Sequence, residues 1–436
     1  MNKSRFIALG IFQLGLIFTL YAQELTLSPY SRYGIGDIFS NTTTRNAGMG
    51  GIGMASDNYF SLNRINPAGY ADLVFTTFDI SGFSQLSNLR SNNSSENQIT
   101  AGFQDIGFGF PSNKNLVLVM GFAPYSAVGY NASQLREITL QDTVKYLEEN
   151  RYNALGGLNQ LYFGVAFRFW RNKLRLGANV KYLFGNTRYD WTNQVLTIKD
   201  TIGVPTFQQL SIRKDVYIKG LSGQVGFVYQ DTIKASKRIL FRIGAAAEYS
   251  LNLTGDRFTI FGNGDFSDTT LAGVEYSEIV IPPSLGAGFM INRPGYWAIG
   301  ADFSYQDWAQ FQYFSDESVL GKQVRAGIGL EFSDPESFKY GRRINYRFGA
   351  YWRQSYIQIN DQSIQDLGVT VGIGLPAGLK GNSRLNQGRA TSRINLSAEL
   401  GKRGSLDSNL PLEEYYARFR LGITLNDRWF IRRVVD

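Results

Sequence analysis

The chain has 436 residues, 43% of them hydrophobic and 18% charged, with a net charge of +8 and neither cysteine nor histidine. That composition rules out a Ser-His-Asp triad, a thiol nucleophile, an imidazole-bound metal, a disulfide and a lipidated N-terminal cysteine. The 31 Phe and 25 Tyr argue against a disordered chain, and basic residues scattered along the chain rather than clustered argue against nucleic acid as a partner.

At the N-terminus, Lys3 and Arg5 precede an apolar run from Phe6 to Leu20, and Ala22 is a suitable cleavage residue. Residues 1–22 therefore read as a secretory signal peptide. The next segment, 23–71, is rich in Gly, Ser, Asn and Thr, carries turn signals at Ser28-Pro29 and Asn66-Pro67, and alternates only weakly. A segment of this kind ahead of the first strand is expected to be a hatch folded into a lumen or a tail outside it.

From residue 72 to the end, stretches of two-residue alternation recur. In the clearest, Ala417, Phe419, Leu421, Ile423 and Leu425 alternate with Arg418, Arg420, Gly422 and Thr424. Successive side chains of a strand point to opposite faces, so one face is apolar and the other polar or charged. No helical segment could cover the apolar faces, and a soluble sandwich would not tolerate so many charges on its inner face. A closed barrel with lipid outside solves both problems. The expected strands lie at roughly 72–85, 99–110, 115–125, 158–170, 173–190, 213–230, 239–255, 279–291, 296–306, 321–332, 343–356, 366–375, 391–400 and 415–426. Short connections near 111–115, 171–172 and 292–295 alternate with long ones at 126–157, 191–212, 256–278 and 307–320, as short periplasmic turns alternate with long outer loops. The connection at 377–390 is long for the periplasmic side on which this phasing places it. The predicted fold is an all-β transmembrane antiparallel barrel of about 14 strands over 72–436, with the 23–71 hatch in its lumen, in the outer membrane of a Gram-negative bacterium.

Residues 48–53 match a dinucleotide-binding G-x-G-x-x-G pattern, but no hydrophobic strand precedes them and a Pro- and Asn-rich stretch follows instead of a helix, so nucleotide binding is rejected. No cofactor, metal site or enzymatic activity is expected. The inward rows are rich in arginine: Arg175, Arg242, Arg325, Arg343, Arg347, Arg353, Arg418 and Arg420. With Glu248, Glu331 and Glu399 they read as ladders bracing the barrel and holding a plug; a sharper reading has them attract an anionic head group. Trp170, Trp297 and Trp429 are expected at the periplasmic interface and Trp191 and Trp308 at the outer one. Trp429-Phe430 with Arg432 and Arg433 would anchor the C-terminus at the interface.

The stretch 46–57, with Gly48, Gly50, Gly51, Gly53 and Asp57, followed by Asn66-Pro67-Ala68-Gly69, resembles the N-terminal hatch of the FadL family of outer-membrane transporters for long-chain fatty acids and aromatic hydrocarbons. The resemblance implies a plug formed by these residues that moves, or a strand that kinks, to let an apolar ligand leave sideways. It implies uptake of hydrophobic small molecules, with membrane lipids and such a ligand as partners. Some FadL-like barrels, one attached to the type IX secretion machinery among them, bind proteins instead. The rival reading is therefore an accessory barrel with outer-membrane or periplasmic protein partners in a secretion or insertion complex. The Arg-rich lumen suits an apolar ligand poorly, and residues 28–34 stand outside the transporter pattern as a plug strand or a partner contact.

Overall fold

The computed structural model describes residues 25–427 except 58, 141–143, 198–208, 264–265, 267, 315–319, 335, 338, 378–391 and 407–409. The expected signal peptide and the residues from Arg428 to Asp436, Trp429 and Phe430 included, lie outside the described residues.

Fourteen antiparallel strands close into a barrel: β2 (Thr76–Arg90), β3 (Ser95–Pro111), β4 (Leu116–Leu140), β5 (Val144–Phe169), β6 (Leu174–Thr197), β7 (Leu210–Lys234), β8 (Ile239–Gly262), β10 (Ser284–Arg293), β11 (Trp297–Asp307), β12 (Lys322–Phe332), β13 (Asn345–Ile359), β14 (Gln362–Ala377), β15 (Ser392–Arg403) and β16 (Glu413–Asp427). The terminal strands close it, with Asp427 opposite Thr76 and Glu413 opposite Arg90. Two further strands stand outside this count. β1 (Asp37–Ile38) is an inner strand added to β4, and β9 (Thr269–Ile279) pairs with β8 beyond the barrel proper.

The strand phasing follows the alternation. Phe419, Leu421 and Ile423 point outward and are 51%, 49% and 38% exposed, whereas Arg420 is buried against the lumen. Leu176, Val180, Val225, Phe227, Phe289, Ile299, Phe348 and Val371 extend the same apolar belt around the barrel. Arginine or lysine on that belt would cost roughly 2–4 kcal/mol each at the bilayer midplane, which is why the register admits no one-residue slip.

The connections differ from expectation in an instructive way. The supposed loops at 126–157, 191–212 and 256–278 are largely strand, because β4 to β8 run on for 24–26 residues each. A tilted strand crosses a bilayer in about 9–11 residues, the length of β10, β11 and β12 at 10, 11 and 11. One side of the barrel therefore rises far above the other. β8 shows the change of function along one strand: its residues 240–248 pair with β10, and its residues 253–262 pair with β9. Between β9 and β10 the return strand breaks at Val280, Ile281, Pro282 and Pro283, where proline removes ladder donors. At the other end, β2 starts at Thr76 instead of residue 72, because Pro67–Asp72 winds into a 3-10 helix. Arg343 belongs to a short helix, Tyr340–Arg343, and not to an inward strand row.

Candidate functional site: a plugged lumen

Residues 25–75 run through the interior of the barrel. The approach is close because glycine lines the wall where the plug lies flat. A Cβ on Gly349 would sit 2.1 Å from the Gly50 nitrogen, one on Gly329 2.4 Å from the Met49 carbonyl oxygen, and one on Gly372 3.0 Å from the Gly48 Cα. Gly50 and Gly51 themselves adopt φ of +66° and +71°, a region that side chains disfavour. The Gly-rich motif is thus a flat backbone patch laid on a glycine floor formed by β12, β13 and β14.

Polar groups of the wall then satisfy the backbone of this patch, as buried amides require. Thr370 accepts from the Gly50 N–H at 2.8 Å. The Asp302 carboxylate accepts from Gly53 and Met54 at 2.6 and 2.8 Å. Arg325 donates to the Gly50 and Gly51 carbonyls.

Asn66 plays a comparable part for the Asn-Pro-Ala-Gly block. Its side-chain oxygen caps the following 3-10 helix by accepting from Ala68 at 3.0 Å, while its amide donates to Met54 at 2.7 Å and to wall carbonyls of Phe227 and Ala245 at 3.0 and 3.3 Å. Pro67 occupies the first turn of that helix, where its missing N–H costs nothing. The wall makes room again: a Cβ on Gly177 would meet the Pro67 carbonyl at 2.4 Å, and Gly69 packs on Asn63.

Several charges of the lumen are paired. Asp72 at the base of the plug holds Arg175 and Arg242, each at 2.5 Å, and Arg242 also donates to Ala55 and Ser56 carbonyls at 2.9 and 3.2 Å. Burial pushes the Asp72 carboxyl up, but Arg242 and Arg175 outweigh it and hold it below the usual range. Arg45 of the plug reaches Glu331 on β12 at 3.2 Å and Asp57 at 3.4 Å, and Glu331 is shared with Arg347 at 2.6 Å. Asp57 also accepts from Asn292 at 2.5 Å; here burial wins over Arg45 and Arg242 and raises the carboxyl above its ordinary value. Arg420 pairs with Glu399 at 2.6 Å and Arg418 donates to Gln85 at 2.6 Å, so these two brace wall to wall. Of the eight inward arginines expected from the sequence, Arg175, Arg242, Arg325 and Arg347 clasp the plug or its ion pairs, Arg353, which pairs with Asp366, ties strands together with Arg418 and Arg420, and Arg343 lies in the short helix.

Toward the long-strand end the filling turns apolar. Trp308, expected at an interface, is buried in the lumen and stacks on Tyr356 with ring centroids 4.4 Å apart. It lies there because Trp308–Gln310 forms a 3-10 turn after β11 that folds inward. Tyr30, Ile35, Leu183, Ile218, Leu253, Ile281 and Leu320 complete this cluster. Residues 28–34 form its lid as a turn, Pro29–Arg32, in which Tyr30 donates to the Leu412 carbonyl at 2.5 Å. Trp170 is 69% exposed at a short turn, and Trp191 sits on the tall wall, donating to Asn150 at 3.1 Å.

Sequence reading missed Asp72, Asp302 and Thr370, which hold the plug, and the wall glycines that admit it. The glycines were visible in the inward rows; what was hidden is that Gly329 pairs with Gly349 across β12 and β13, with Gly372 two residues along on β14.

Two cavities remain between plug and wall. One of about 170 Å³ is lined by Met54, Tyr125, Glu248, Asp302, Phe303 and Arg325, and one of about 80 Å³ by Phe83, Arg353, Arg403, Glu414, Arg418 and Arg420.

A closed barrel with an apolar belt, a polar lumen and an N-terminal segment inside it is a barrel of the FadL fold, and solved structures agree. The chain is similar to a Pseudomonas aeruginosa FadL homologue at 10% identity and TM-score 0.58, covering 90% of this chain and 99% of that one. It is similar also to the Pseudomonas putida toluene transporter TodX at 13% identity and TM-score 0.55, with 90% and 99% covered. The Ralstonia pickettii toluene transporter TbuX follows at 14% and 0.54, with 89% and 98% covered. At these identities the likeness is one of fold. The family model described as BamG matches residues 1–436, and the chain belongs to that family. No curated protein matches it in sequence.

Proposed function

We propose that this protein is a non-transporting accessory barrel of the outer membrane that binds partner proteins in a barrel-insertion assembly, with its short turns in the periplasm and its tall wall outside the cell. The observation that carries this reading is the filled lumen, in which plug and wall share paired charges and satisfied backbone groups. A cavity of about 150 Å³ is just large enough for a benzene ring; the one of about 170 Å³ here, lined by Met54, Ile281 and Phe303 together with Asp302, Glu248 and Arg325, has room for one small ring and no more. Nothing of that size and polarity suits a fatty acyl chain. The family's name supports the same direction, since it points to the BAM machinery.

One observation favours uptake as a second reading. β3 pairs with β4 only through residues 106–111 and 117–122, and above that the two strands part, leaving a seam in the wall. The seam is filled by the chain itself: Asp37 and Ile38 pair with Ala127 and Ser126, and Ser31 bonds both the N–H and the carbonyl of Gly129.

Deleting residues 28–60 separates the two. The accessory reading expects bound outer-membrane or periplasmic proteins to be released from the affinity-isolated barrel with hydrocarbon uptake unaffected. Loss of uptake with no change in co-isolated proteins would overturn it in favour of transport.

A further inference from the structure

We propose that the free edge of β9 is a docking site for an extended strand of a partner protein, added to the tall sheet outside the membrane; this rests on the accessory reading above. β9 pairs with β8 through residues 253–262, and among the described residues no strand lies on its other edge. The strand is 11 residues long and almost wholly exposed, with Tyr276 at 75% and Leu271 at 59%. Natural sheets blunt such edges with lysine, proline or a covering element. Residues 269–279 contain neither lysine, arginine nor proline. What the edge offers is a row of backbone donors and acceptors, and the group that satisfies such a row other than water is another extended backbone.

The molecule already uses this chemistry once. The opposite edge of the same tall sheet belongs to β4, and there the chain's own Asp37–Ile38 adds as a strand. Among the described residues β9 is the corresponding edge with no strand to cover it, the chain touching that side through a single bridge, Val280 to Gln312, just past its end.

Side chains define the guest further. On the outer face, Val274 and Tyr276 lie opposite Phe258 and Asp256 of β8, and Phe258 meets Tyr217 of β7 edge to face at 5.8 Å. An added strand with apolar or β-branched residues on that face would continue this stripe. On the inner face Glu275 is already answered by Arg257 at 2.5 Å, whereas Glu278, on the outer face beyond Tyr276, forms no ion pair among the described residues. The fitting guest is therefore an extended segment with alternating apolar side chains and a basic residue opposite Glu278.

The test uses the full chain isolated from membranes with its co-purifying proteins, compared with the same barrel stripped of them. Strand addition expects amide exchange in residues 269–279 to slow by about tenfold or more in the complex, in alternate amides only, since alternate N–H groups already bond β8. The double variant Val274→Lys with Tyr276→Lys should lose about tenfold of the bound partner while the barrel still inserts and closes, as its heat-modifiable migration reports. Glu278→Lys should weaken the partner less, and a synthetic strand peptide of alternating valine and threonine, with one terminal valine replaced by lysine to face Glu278, should compete with it for the wild type. Unchanged exchange across 269–279 with the partner still bound would overturn the docking site and leave the accessory reading standing. If nothing co-purifies with the wild type, the accessory reading falls and the docking site with it.

Discussion

The two halves of the lumen combine packing and directional bonds in different proportions, although Met49, Ile52, Leu62 and Tyr70 pack against the wall in the lower half too. Near the short turns, the plug residues 44–72 are held by directional bonds: Asp72 between Arg175 and Arg242, Asp302 on two successive amides, Thr370 on Gly50. Near the long-strand end, residues 28–36 join one continuous apolar cluster with Trp308, Tyr356, Leu253 and Ile364, to which Tyr30, Ser31 and the Tyr33 and Gly36 carbonyls add hydrogen bonds at the margin. Directional bonds demand one position of the plug and lose most when one partner is removed. Packing tolerates small shifts and loses in proportion to the area and cavity created. The difference teaches that the lower half sets where the plug sits, and the upper half seals what is left.

The sharpest way to break this contrast is to fill the glycine floor. Gly349→Val puts side-chain atoms where the Gly50 backbone lies, so the plug should fail to seat altogether; protease cleavage within residues 40–60 of an inserted barrel checks it. Next comes Arg242→Ala, which leaves Asp72 with one guanidinium and two plug carbonyls without their donor. Removing one partner of a buried pair costs about 3–5 kcal/mol, read as a lower urea midpoint in vesicles, and the Asp72→Asn, Arg242→Gln pair should recover part of it. Trp308→Ala tests the upper half. Its cost of about 3 kcal/mol should appear as looser packing with the lower plug still protected from protease; cleavage of both halves together would show that they act as one unit. Asn66→Ala removes a helix cap and three further donations, and about 1–2 kcal/mol is expected, without release of the plug.

The smallest effect is one of pH. The Asp57 carboxyl is raised by burial, so the folded state binds its proton more tightly than the unfolded state does. Stability from this group is greatest below the ordinary carboxylate value and falls as pH rises through the folded value. Asp72 is lowered and slopes the opposite way, its contribution being lost as pH falls. Asp57→Asn should therefore make stability rise more steeply with pH from about 4 upward than in the wild type. An identical slope in the two proteins would mean that Asp57 titrates normally.

Alternation by itself determined the fourteen barrel strands, their order and which face meets lipid. It could do so because a two-residue period is local, and because an arginine on the wrong face is too costly to tolerate. Phe419, Leu421 and Ile423 against Arg418 and Arg420 were sufficient to phase β16. The Asn66-Pro67-Ala68-Gly69 block and the Gly-rich stretch were legible as special backbone, since Pro and Gly restrict or free φ in any context. Only the tertiary structure decided what they touch. That Gly329 pairs with Gly349, with Gly372 two residues along on the next strand, depends on the stagger between neighbouring strands, and that Asp72 meets Arg175 and Arg242 depends on contacts across 103 and 170 residues of chain. The tall wall escaped the sequence for a further reason. Above the bilayer both faces of a strand meet water or packed protein, so the strict apolar period fades and the upper parts of β4 to β8 read as loops. There the ladder of backbone hydrogen bonds continues without the hydrophobic pattern, and pairing with a neighbour, which no single strand encodes, keeps the strand extended.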